Sequence, residues 1–243
     1  MAKKDITFTE VDNTIEETEI VKKDFLTTYA KPIIYAVAAL VIGVGAYYGY
    51  KNLIKEPKEK EAAEAIFMAE NLFGKMATTG FSKDSVNIVL NGGTLDGKGI
   101  TGLLKVASNY SGTAAGNRAK YLIGAAYLQT KEFDKAISFL KDFDANGAYQ
   151  TDIKKNMMLG HAFAELKKTD DALTAYKKAA TVNTKDEAFT AEALLTAASY
   201  AETLGKTKDA IDLYQELKDK FATSQAVQSG DVDKYLARLG VTK

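Results

Sequence analysis

Eighteen consecutive residues, Ile33 to Tyr50 (IIYAVAALVIGVGAYYGY), carry no charge and lie between Lys31-Pro32 and Lys51. As a helix rising 1.5 Å per residue, such a run is about 27 Å long, just enough to cross the hydrocarbon core of a bilayer. The other helical stretches of the chain carry a charge every few residues, and the 193 residues from Lys51 to Lys243 read as a soluble domain. The fold to be expected is therefore bipartite.

Three structures suit an apolar run of this length: a membrane span, a cleaved signal or a buried core helix. A signal ends in small residues, whereas this run follows a 31-residue polar tail and ends in Tyr47, Tyr48 and Tyr50. Those tyrosines, with Tyr29 and Tyr35 at the other end, match the aromatic belts of a membrane-spanning helix. The reading is a span over 32–50. Five lysines precede it (Lys3, Lys4, Lys22, Lys23, Lys31) and four follow closely (Lys51, Lys55, Lys58, Lys60), a difference too small to set orientation. The run is only weakly hydrophobic. Gly45 and Gly49 are spaced as GxxxG, and Ala39 and Gly43 repeat the small-xxx-small spacing, which lets a second membrane helix approach. Small residues scattered through an Ala/Gly-rich helix would look the same.

Composition narrows the function. Thirty-two basic residues balance thirty-two acidic ones, so there is no basic field for nucleic acid. Zero cysteines exclude disulfides and thiolate sites, without locating the domain in either redox compartment. Both prolines flank the span, which leaves the soluble part free of the strongest helix breaker.

Residues 1–31 read as a short tail, partly helical or disordered, with Thr14 and Glu17 as a capping box ahead of Ile15, Val21, Phe25 and Tyr29. Residues 51–61 are a linker and the start of the first soluble helix, with Pro57 in its first turn. Ala62, Ala65/Ile66, Ala69, Leu72/Phe73 and Met76 make one apolar stripe to about Ala77. A short helix over Ser82–Leu90 follows, then a glycine-rich loop over Asn91–Gly99, then a helix over Ile100–Tyr110.

From there to the end, within a domain assigned to 62–243, the chain repeats itself. YLIGAAYLQTKEFDKAISFLKDF from Tyr121, MMLGHAFAELKKTDDALTAYKKA from Met157 and LLTAASYAETLGKTKDAIDLYQEL from Leu194 superpose. Gly124, Gly160 and Ala198 align, followed twelve residues later by Ala136, Ala172 and Ala210, and four further on by Leu140, Tyr176 and Tyr214. Small residues on two successive helices let an antiparallel pair pack closely, and the large residue one turn later fills the gap to the next pair. Turns fall at Lys131–Glu132, Lys168–Thr169 and Gly205–Lys206, with repeats at about 117–146, 153–182 and 191–220.

Leu159-Gly160-x-x-Phe163 with Ala172, Tyr176 and Ala179 resembles the tetratricopeptide repeat, and Ile123-Gly124-x-x-Tyr127 with Phe133, Ala136 and Leu140 is close behind. The third repeat departs from the pattern, with Ala198 for the glycine and Ala201 for the aromatic. The resemblance implies an all-α fold: one N-terminal transmembrane helix followed by an α-solenoid of helix hairpins. The order of parts, with a Glu56–Ala62 exit (EPKEKEA), is similar to the YfgM-type proteins. That likeness implies a single-pass inner-membrane protein with its N-terminus in the cytoplasm and its repeats in the periplasm. It further implies partners, a SecYEG-type translocon and a PpiD-like membrane-anchored chaperone, with a scaffold for another envelope-assembly or division complex as the alternative. It implies no enzyme activity, cofactor, small-molecule substrate or nucleic acid.

The residues point the same way. His161, the lone histidine, has no companions at metal-ligand spacing. Asp170–Asp171 and Asp186–Glu187 sit where they favour helix N-termini. No Gly-Lys-Ser/Thr or nucleophile-elbow sequence occurs. What remains is the groove of the first helices. By repeat phase it includes Tyr121, Ala125, Leu128, Gln129, Met157, His161, Ala164, Leu195, Ser199 and Glu202. The groove is mostly apolar and suits an amphipathic helix or an extended apolar segment, although part of the set could equally be inter-repeat core.

Overall fold

A computed structural model describes residues 10–241, with side chains from Tyr29 onward. The proposed cap Thr14/Glu17 and the positions Ile15, Val21 and Phe25 lie outside the described side chains. The chain divides into two compact units, one ending at Pro57 and the other starting at Lys58.

The first unit is helix α1 (Glu10–Tyr50), 41 residues long, followed by a π-helical turn over Lys51–Lys55. Pro32 lies inside α1, where it removes one backbone hydrogen bond. The apolar run is exposed apart from the half-buried Gly49: Tyr35, Leu40 and Ile42 show about two-thirds or more of their surface. A core helix of a soluble protein would be buried here, and none of the most apolar stretch is. It is the one helix among the described residues long and apolar enough to cross a membrane.

The second unit is helical throughout, apart from one hairpin. In order come α2 (Glu56–Thr79), α3 (Lys83–Asn91), β1 (Gly92–Leu95), β2 (Lys98–Thr101) and α4 (Leu103–Asn109). Then follow α5 (Ala114–Gln129), α6 (Phe133–Asp142), α7 (Tyr149–Glu165), α8 (Thr169–Thr181), α9 (Glu187–Thr203), α10 (Thr207–Lys220), α11 (Gln225–Gln228) and α12 (Asp231–Arg238). The stripe read on α2 is its core face: Ala62, Ile66, Ala69, Leu72 and Met76 are buried. Ser82 caps α3 by accepting a hydrogen bond from the Ser85 amide.

Two expectations are corrected here. The glycine-rich stretch is an antiparallel hairpin, β1 on β2, turned by Asp96 (φ 51°) and Gly97 (φ 74°). Asp-Gly supplies the two left-handed positions of a tight hairpin turn. The helix expected from Ile100 begins only at Leu103, because Ile100 and Thr101 belong to β2 and Ile100 is buried from there.

Successive helices pair as antiparallel hairpins, α5/α6, α7/α8 and α9/α10, and each hairpin stacks on the next. The three turns are built alike. Lys131, Lys167 and Gly205 take left-handed backbone (φ 61°, 60° and 69°). The amides of Glu132, Lys168 and Lys206 reach back to the carbonyls of Tyr127, Phe163 and Ala201 at 2.9–3.0 Å. That is a Schellman helix end, repeated three times in the same phase.

The small residues work within each hairpin. A Cβ added to Gly124 would lie 2.5 Å from Leu140 Cγ, and one on Gly160 would lie 2.4 Å from Tyr176 Cε1. Leu140 and Tyr176 thus lie over the glycine of their own hairpin, rather than only filling the gap to the next. Tyr176 does both, since its ring also meets Tyr200 of α9 edge-on at 5.2 Å. Apolar burial falls into two clusters, one from α2 to α6 and one from α6 to α12, as expected of a stack in which each layer touches only its neighbours.

Candidate functional site

The first helices of the hairpins, α5, α7 and α9, line the inner face of the stack. Of the ten groove candidates none is fully buried; Gln129, His161 and Ser199 are exposed and the other seven half-buried. Tyr121, Met157 and His161 come together in one depression of about 260 Å³, with Phe189 and Glu192 of α9 on its far side. Leu195 and Ser199 face a second depression of about 420 Å³ walled by Tyr176, Tyr200, Tyr214, Tyr235 and Arg238. Gln129 is elsewhere, in a cavity between α3 and the α5/α6 turn. Leu128 and Ala164 pack against the core. Ala125 is half-buried on α5 and lines neither depression.

Glu202 is already committed. Its two carboxylate oxygens accept from Arg238 Nε and Nη2 of α12 at 2.7 and 2.8 Å, and one also accepts from Tyr214 Oη at 3.1 Å. The Arg238 bond, followed by Tyr214, holds the Glu202 carboxyl below its usual range, while burial and this carboxylate push the Tyr214 hydroxyl up to about 12. Val232 and Leu236 are buried beneath, and Tyr235 stacks on Tyr214 at 5.2 Å. Helix α12 therefore closes the end of the groove. The sequence reading missed it, although Val232, Leu236 and Leu239 mark an apolar face at helical spacing.

His161 lies beside Gly160, with its Nδ1 2.9 Å from Tyr176 Oη. Desolvation lowers the histidine pKa against a smaller opposing effect of Glu165, and burial raises that of Tyr176. Both shifts favour the neutral pair, joined by one hydrogen bond between the Tyr176 hydroxyl and Nδ1. A tyrosine harder to ionise is a poor nucleophile, so the pair fixes one hairpin's two helices to each other. Among the described residues, no group of three or more His, Asp or Glu is placed to hold a metal ion.

Residues 157–225, from within α7 to the start of α11, match the family model for tetratricopeptide repeats. This stretch is a tetratricopeptide-repeat segment. Comparison with curated proteins gives no match. The TPR segment covers the hairpin of the best sequence match, α7/α8, and the divergent α9/α10, where Ala198 and Ala201 replace the usual residues. The α5/α6 hairpin carries the same small–large packing one period earlier, with Leu140 over Gly124 where α7/α8 has Tyr176 over Gly160. Tetratricopeptide repeats are protein–protein interaction scaffolds and are generally not catalytic. The apolar and aromatic inner face of this one suits that role.

Proposed function

We propose that this chain is a non-enzymatic adaptor, held at a membrane by α1, whose repeats assemble protein partners there. The observation that carries the reading is one polypeptide combining an exposed apolar stretch, long enough to cross a membrane, with a TPR segment. The order of parts further suggests the partners: a Sec-type translocon and a membrane-anchored periplasmic chaperone, engaged during protein export from an inner membrane with the N-terminus cytoplasmic. Gly45 and Gly49, and Ala39 with Gly43, support contact between α1 and another membrane helix, since nothing lies within 4 Å of a Cβ built on any of the three glycines. Affinity purification of the full chain in mild detergent should recover translocon and chaperone subunits. Recovery of neither overturns that choice of partners. A reporter fused after Lys243 should be active outside the cytoplasm, and activity only inside reverses the topology.

A further inference from the structure

The two groove depressions belong to a longer trough. A third and larger one, about 650 Å³, lies between α9 and the α11–α12 segment. It shares Glu192 with the depression of Tyr121 and His161, and Leu195 with the depression of Ser199. Its floor is Ala188, Ala191, Leu195 and Ala226. The floor is apolar and the walls, with Glu187, Thr223, Gln225, Ser229 and Asp231, are polar, with Glu192 at the junction of two depressions.

Charge along the trough is unevenly engaged. Arg238 is held at two points by Glu202, and Lys154 lies 5.0 Å over the Phe189 ring. Glu187 accepts from Thr223, and Asp231 from Ser229 and Lys234. Glu192 is exposed, and its carboxylate has no hydrogen bond or ion pair among the described residues. Ser224, which lines the depression between α9 and the α11–α12 segment, keeps a buried Oγ without a hydrogen-bond partner. A free anion above an apolar floor selects the chemistry of an occupant.

We propose that the trough binds a polypeptide segment whose apolar side chains flank a lysine or arginine, the cation pairing with Glu192. The apolar flanks fill the depressions on either side of α9. This inference rests on the scaffold reading and names the partner chemistry of that site.

The test uses the full chain in nanodiscs, with protein-free nanodiscs as the blank. Two fluorescent peptides serve as probes, rich in Leu, Met and Ala and identical except for a central Lys or Glu. Fluorescence anisotropy should show the Lys peptide bound at least about tenfold more tightly, and Glu192→Lys should invert the order without loss of helical circular dichroism. Equal binding of both peptides, or a preference unmoved by Glu192→Lys, overturns the proposal and leaves the scaffold reading standing. If neither peptide binds, the proposal falls, and the co-purification experiment decides the scaffold reading separately.

Discussion

At Gly160 two effects of similar size oppose each other. Alanine in a helix interior is favoured over glycine by about 1 kcal/mol, yet its methyl would press into the buried Tyr176 ring. Overpacking of a filled site costs about 1–3 kcal/mol, and here the ring is also hydrogen-bonded to His161. Gly160→Ala should therefore lower stability in urea titration. Gly74→Ala, exposed in α2 with nothing within 4 Å of the new methyl, should raise it by about 0.5–1 kcal/mol. His161 predicts a pH dependence. Its folded pKa is depressed, so the neutral form's contribution is complete above the unfolded value of about 6.5 and is lost as pH falls through the folded value. The lowered carboxylates Glu202 and Asp170 act in a separate, more acidic range. Equilibrium unfolding followed downward from pH 7 should show a loss beginning below about 6.5 that His161→Gln abolishes.

At the level of elements, the three hairpin turns offer an internal comparison. Lysine occupies the left-handed position twice and glycine once, and side chains other than glycine pay about 1–2 kcal/mol there. Lys131→Gly and Lys167→Gly should each raise the thermal midpoint, and Gly205→Ala should lower it. Across these turns, Lys168 pairs with Asp134 and Lys206 with Asp170, one repeat back. These side chains are largely exposed to solvent, so the pairs add little stability. Arg238→Ala should free α12, read as faster amide hydrogen exchange over Asp231–Arg238.

The repeat was legible because a 36-residue recurrence of small and large residues reports helix packing directly. The β-hairpin was not, because four glycines in nine residues mask the Asp-Gly turn between two short strands. Much of the trough was legible from repeat phase. Its far wall was not: Thr223 to Asp231 lies beyond the last repeat period, where only the tertiary fold brings it against α9. Nor could phase show that Glu202 is taken and Glu192 free, since which acid meets a cation depends on where Arg238 arrives.

For the molecule as a whole, the two-part core has a consequence for biosynthesis. Helix α6 belongs to both clusters, with Ala136 facing the first and Ile137 and Leu140 the second. The α2–α6 layers hold a core cluster of their own before α7 is made. A chain emerging N-terminus first can therefore complete its opening half and offer α6 as a ready surface on which each later hairpin condenses.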